Sequence, residues 1–318
     1  MTSRTHSSKH SPRRLRAETL ENRRVLAAGV NLTDDGALNI QGDADDNRIW
    51  VAQTRERLRV SIDGRTADFP ADAVETVNIG AGEGDDTVRV FRSVRKPTRI
   101  AGGDGNDRLA AGSGPTFING GEGNDQIRGG VGRNILLGSA GRDRISGGRG
   151  PDLIIGGAGG DVLRGGGGDD WIFGDGVDQW NEELASLELT DLAREIAEVN
   201  FGNDRIAGGR GNDNVFGGNG RDRVSGGVGD DLVNGGAGND AVSGDAGEDV
   251  VIGGEGEDLL RGGLGADEIR ARDGEADLIL ADSSDELFID VELDTVRMRD
   301  NSDDDDGDES GDAAGTLF

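Results

Sequence analysis

From Gly208 to Arg270 the chain repeats one polar–apolar pattern every nine residues, seven times without an insertion. The units read GGRGNDNVF, GGNGRDRVS, GGVGDDLVN, GGAGNDAVS, GDAGEDVVI, GGEGEDLLR and GGLGADEIR, or Gly-Gly-x-Gly-x-Asp-x-aliphatic-x. Eight looser units fill Gly102–Phe173. The eighth position is aliphatic throughout. The first block supplies Leu109, Ile118, Ile127, Leu136, Ile145, Ile154, Leu163 and Ile172. The second supplies Ile206, Val215, Val224, Val233, Val242, Val251, Leu260 and Ile269. The triplet x-aliphatic-x predicts a short strand with one side chain pointing inward, and the six residues before it predict a turn rich in positive φ, hence glycine. Two units then make one coil with a strand on each side. Strands of successive coils pair in parallel at about 4.8 Å, giving an all-β solenoid.

The flanks follow other patterns. Residues 30–101 hold ALNIQG, NRIWVAQ, RLRVSID, AVETVNI and TVRVF, which predict strands, with a hairpin turn at Asp63-Gly64. They form a strand-rich N-terminal cap, in which Gly42–Trp50 reads as a decayed repeat with Asn47 in the aspartate place. Residues 102–173 are block one of the roll and 201–270 block two. Between them, 174–200 breaks the period: Trp180, Leu184, Leu187, Leu192, Ile196 and Val199 fall at near-helical spacing, predicting a loop-and-helix insert. It either decorates the roll or docks a partner through Trp180. Residues 271–299 read as a C-terminal cap whose closing strands are DELFID and DTVRMR. The basic leader, 1–29, and the acidic tail, 300–318, are expected to be disordered.

Charge then narrows the function. Asp and Glu number 63 against 34 Lys and Arg, a formal charge of −29, and 58 of the 318 residues are Gly. So acidic a chain repels nucleic acid and anionic membrane surfaces and favours cations. It has no Cys, which removes disulfides and thiolate sites, and its two histidines, His6 and His10, sit in the leader. A Ser-His-Asp triad in the folded part is therefore ruled out. Neither HExxH nor G-x-S-x-G occurs. The reading is a non-enzyme, although acids are common enough for a carboxylate pair to arise. No apolar run is long enough for a membrane-spanning helix, and no amphipathic segment suggests membrane insertion.

The candidate chemistry sits at the sixth position. It is filled by Asp86, Asp107, Asp125, Asp143, Asp152, Asp161 and Asp170, then by Asp204, Asp213, Asp222, Asp231, Asp240, Asp249, Asp258 and Asp267. Stacked about 5 Å apart, two such carboxylates repel by about 1–3 kcal/mol at effective dielectrics of 80 to 20. A turn aspartate can bond its own backbone, yet fifteen in phase also make a row of metal ligands. Calcium accepts six to eight oxygens in flexible geometry, mixing carboxylates with carbonyls. Magnesium holds its waters, and transition metals favour the His and Cys that are missing here.

These GGxGxD units resemble the nonapeptide repeats of the RTX, or hemolysin-type calcium-binding, family. The resemblance implies a right-handed parallel β-roll, with several calcium ions lying between turns two units apart on one edge. Thr116 and Asn134 take the sixth position two units apart. They would leave weak or vacant sites on one edge of block one, opposite a complete edge of Asp107, Asp125, Asp143 and Asp161. Leu20–Ala27 also resembles a Leu-Glu-Pro-Arg-x-Leu-Leu leader of exported proteins, with Asn22 and Val25 departing from it. The acidic tail is either a solvated terminus or an export signal of the kind RTX relatives carry. The expected function is calcium binding coupled to folding of a secreted or cell-surface structural or adhesive protein, with a cell-surface glycan or protein as partner. The alternative is a roll accessory to an enzyme or toxin activity not visible in this chain.

Overall fold

The computed structural model describes residues 29–175, 202–290 and 292–298. They form a parallel β-solenoid of two sheets, one of thirteen strands and one of fourteen. Alternate repeats feed alternate sheets. In the thirteen-stranded sheet Ile118 pairs with Leu136 and Leu136 with Ile154. In the fourteen-stranded sheet Leu109 pairs with Ile127 and Ile127 with Ile145. Each step is eighteen residues, two repeats. All sixteen eighth-position aliphatics are buried, in one core cluster running the length of the roll.

Strands exceed the three residues that the repeat suggests. Leu232–Ala237 and Val250–Glu255 each have six, continuing through the two glycines that open the next unit. The reason is steric. Gly218 pairs with Gly236 and Gly236 with Gly254 in the ladder. Gly236 has φ 112°, a region that a Cβ resists. Where Asp245 replaces this second glycine, at φ 76°, hydroxyl bonds from Ser225 and Ser243 brace its carboxylate.

The segment 176–201 does not interrupt the solenoid. Leu163 pairs with Ile206, and Ile172 with Val215, so both sheets run through. Gly174 and Asp175 fill the first two places of the interrupted unit, and Gly202–Ala207 fill the last six. The Gly174 N–H still donates to the Phe216 carbonyl at 2.9 Å. The helix expected within 174–200 lies outside the described residues, as do the leader up to residue 28 and the acidic tail.

At the N-terminal end the expected hairpin is present. Arg57–Ile62 and Arg65–Pro70 pair antiparallel, with Ile62 opposite Arg65 and left-handed φ at Asp63 (49°) and Gly64 (80°). Val30–Leu32 closes the other sheet antiparallel to Ala37–Gln41. At the far end Glu286–Ile289 and Thr295–Met298 add as further parallel strands. On the face of the thirteen-stranded sheet turned away from the core, Leu137, Leu153, Ile155 and Phe173 make a second buried apolar cluster, joined by Trp171 and Phe216.

Leu163 is fully buried at the junction of the two blocks, whereas its neighbour Arg164 is exposed. Leu163→Ala is expected to cost about 2–5 kcal/mol, and Arg164→Ala less than about 0.5 kcal/mol. Urea unfolding in excess calcium measures both.

Candidate metal centre

Every one of the fifteen sixth-position aspartates is buried. The cause is local. The strand begins at the seventh residue, so the sixth side chain turns under its own turn, into the space that the first glycine leaves open. The fifteen fall into two ladders, one along each edge of the roll. In the ladder ahead of the fourteen-stranded sheet, Oδ1 of Asp107 accepts the N–H of Asp86 at 2.8 Å. Asp125 does the same for Asp107, and Asp143 for Asp125. The series crosses the interrupted repeat, where Asp204 accepts the N–H of Asp161 at 2.6 Å, and continues through Asp222, Asp240 and Asp258. The other ladder runs through Asp152, Asp170, Asp213, Asp231, Asp249 and Asp267.

The second carboxylate oxygen has a different fate. Oδ2 of all fifteen is buried without a hydrogen-bond partner. A Cβ added to Gly235 would lie 2.6 Å from Asp240 Oδ2 and 2.6 Å from the carbonyl oxygen of Gly253, one coil further on. At Gly244 the corresponding distances are 2.5 Å to Asp249 Oδ2 and 2.7 Å to the Gly262 carbonyl. Carboxylate and carbonyl oxygens thus converge on the space beside the first glycine of a unit. Among the described residues no cluster of three or more His, Cys, Asp or Glu gathers. A cation here would be held by few carboxylates and several carbonyls, a hard, all-oxygen donor set that fits calcium.

Electrostatics place the same demand. Burial is the largest influence on each of these carboxyls and raises its pKa, against the lowering effect of the backbone hydrogen bond. Asp204 is pushed up to about 9, with Asp161, Asp222 and Asp175 adding repulsion. Asp170 reaches about 8, Asp125, Asp161 and Asp240 about 7, and Asp143 and Asp152 about 6. A carboxyl so placed must be protonated or matched by a cation.

The interrupted edge has its own geometry. Thr116 and Asn134 do lie on one edge, paired across neighbouring strands. The Asn134 Nδ2 donates to Asp152 Oδ1 at 2.8 Å and to the Gly132 carbonyl at 2.7 Å. An amide nitrogen therefore stands near the space beside Gly129, 2.8 Å from an added Cβ. The Thr116 N–H turns to the Arg133 carbonyl, outside the ladder. In the same unit the first position is Ala111, buried, so a methyl group fills the space that glycine leaves elsewhere. Asp86 likewise shares its unit with buried Ala81.

Some participants escape a strict nine-residue count. Asp277 is buried, has an orphan Oδ2 and accepts the N–H of Asp258 at 2.8 Å. One extra residue before it hides the register, though Asp-Leu-Ile was a readable signal. Asp285 and Asp294 extend the two ladders as caps. Asn47 occupies the sixth place as expected, donating its N–H to Asp86 Oδ1 at 2.7 Å. Asp175, buried in the interrupted unit with an orphan Oδ1, had no signal in the repeat.

The raised carboxyls give the metal-free roll an inverted pH dependence. Each folded-state pKa lies above the ordinary value of 3.8, so the folded chain binds more protons than the unfolded one from about pH 4 upward. That stability is complete below about pH 4 and is lost as pH rises through about 6–9. Freed of calcium and held in metal-free buffer, the chain is expected to be more compact at pH 4 than at pH 8, by circular dichroism and urea midpoint.

The family model for the RTX calcium-binding nonapeptide repeat matches in six overlapping windows: 101–136, 119–154, 146–178, 198–233, 216–251 and 234–269. A model described as Planctomycete extracellular matches residues 12–30. No curated protein matches the sequence. The repeat windows coincide with most of the coils that carry the two aspartate ladders, and over residues 101–178 and 198–269 the chain belongs to the RTX calcium-binding nonapeptide-repeat family.

Proposed function

We propose that the two aspartate ladders bind calcium, and that this binding is part of the folding reaction of an extracellular structural or adhesive module. The observation that carries the reading is the row of buried Oδ2 atoms, each without a partner. The residues that would hold the ions are the fifteen sixth-position aspartates, with Asp277, together with carbonyls of the glycine-rich turns. A bound cation supplies positive charge where the buried carboxylates repel one another. Without it those carboxylates oppose folding, so the binding free energy becomes folding free energy.

Occupancy would be uneven. Beside Thr116 the carboxylate is missing and the Ala111 methyl fills the space; beside Asn134 a nitrogen replaces an oxygen. Asp86 is weakened by the Ala81 methyl. The complete edge, from Asp107 to Asp258, is the stronger one in block one. Block two, with aspartate at every sixth position, would bind first and template the rest.

Secretion is supported by the match of residues 12–30 to an extracellular model and by the leader-like run Leu20–Ala27. A chain left unfolded at low calcium also suits passage through a narrow export channel.

Two measurements test this reading. Far-UV circular dichroism at neutral pH is expected to show coil in excess EGTA and β-structure in millimolar calcium; identical β-rich spectra would sink the coupling. Crystals soaked in calcium are expected to lack metal density at the Ala111–Thr116 turn and to hold it beside Asp125, and full occupancy next to Thr116 refutes the uneven-edge assignment.

A further inference from the structure

The outer face of the fourteen-stranded sheet is chemically unlike its counterpart. Eight consecutive strands of that sheet, from Arg48–Gln53 to Arg223–Val228, each carry one exposed arginine directly beside the inward aliphatic, and Arg205–Arg210 ends on a second, Arg210. Arg48, Arg108, Arg144, Arg205 and Arg223 take the seventh position of their units, just before the inward aliphatic. Arg89, Arg128 and Arg164 take the ninth, just after it. All eight are exposed. Seventh and ninth places alternate from strand to strand until the last, so neighbouring guanidiniums sit diagonally across the pleat. At about 4.8 Å per strand the row spans about 34 Å.

The row is weakly countered: Asp85 feels the charge of Arg108, and Arg89 lies over the Phe91 ring at 4.7 Å. The eight strands contain no Asp or Glu, and none of these arginines makes an ion pair among the described residues. The adjoining hairpin behaves differently: Arg57 and Arg59 both pair with Asp68, at 3.7 and 2.7 Å. The fold does not require arginine at these places either, since Gln126, Val162 and Ala241 occupy equivalent outward positions. In a chain of formal charge −29, a straight unpaired cationic row is a local reversal of the protein's field.

We propose that this face binds a linear sulfated polysaccharide. Guanidinium forks pair bidentately with planar and tetrahedral oxyanions and are weakly hydrated. A straight row of fixed pitch suits an extended polymer better than a compact ligand. Nucleic acid fits less well: aromatic contact is confined to one end of the row, where Trp50 and Phe91 lie beside Arg89, and from Arg108 to Arg223 the other outward positions are Ala110, Gln126, Ser146, Val162, Ala207 and the buried Ser225, which give bases no platform. Sulfate is preferred to carboxylate because carboxylates are themselves calcium ligands, and a polyuronate would be cross-linked by the ions that fold the roll. The inference rests on the calcium-folded state proposed above, and calcium would also weaken the negative field that repels a polyanion.

The test uses the full chain in excess calcium and fluorescently labelled sulfated oligosaccharides of graded length, read by anisotropy. Affinity is expected to rise with length up to about 34 Å and then level off, and to fall steeply with added NaCl. The triple variant R108Q/R144Q/R164Q is expected to bind about tenfold or more weakly, as lost phosphate-type ion contacts do, with its circular dichroism unchanged. A charge-matched triple away from this sheet, R99Q/R133Q/R149Q, is expected to stay within about twofold. Should the first triple fail to fold, Arg144→Glu alone carries the same expectation of weaker binding. Length-independent affinity, equal losses in both triples, or tighter binding of duplex DNA of matched charge overturns the proposal. Because circular dichroism reports the roll and anisotropy reports the row, a failure of calcium-coupled folding is distinguished from a failure of this inference.

Discussion

A carboxylate buried with one oxygen satisfied and the other bare is the constraint on which the roll depends. Oδ1 ties each turn to the backbone of the coil before it, as Asp125 ties to Asp107. Oδ2 meets no donor. The first contact fixes the spacing and register of the coils, because the acceptor must fall opposite an N–H exactly one coil away. The second makes that register conditional on proton or cation. The aliphatic column cannot substitute for it: one side chain per nine residues is a thin core, and it is spread along the axis of a solenoid rather than gathered at a centre.

The ladder also explains where the roll is irregular. Its N-terminal end leaves the repeat altogether and becomes antiparallel, with Asn47 offering an amide where the next carboxylate would have stood. Its C-terminal end keeps the parallel pairing but exposes Leu293 and Met298. In the middle, Thr116 with Ala111, and Asn134 with its donor nitrogen, form one coherent defect. At Thr116 the carboxylate and the first glycine are lost together, whereas Asn134 keeps Gly129 and Asp86 stands beside Ala81, so either partner in that space can change alone.

Much of this was legible in the sequence for a physical reason: a solenoid is nearly one-dimensional, so period, side-chain direction and neighbour follow from counting. The inward column from Leu109 to Ile269, the Asp63-Gly64 hairpin and the shared edge of Thr116 and Asn134 all came from counting. What counting missed were shifts of phase and contacts across phase. Asp277 stood one residue late. Asp175 joined the carboxylates through an interrupted unit. The strands lengthened through paired glycines, a matter of backbone φ that composition hints at without locating. The arginine row also went unread, since it is distributed over two repeat positions and emerges only when alternate units are assigned to one sheet.

The interrupted repeat carries a wider consequence. Twenty-six residues, 176–201, stand where other units have one, yet Asp161 still meets Asp204 and both sheets pass through without a change of register. The third position of a turn is therefore a port. Whole segments can be spliced there, because the ladders are closed by the first and sixth residues and the chain between the second and fourth is free to leave and return. A fold built this way can carry an added segment at such a turn while its axis and its aspartate ladders stay as they were.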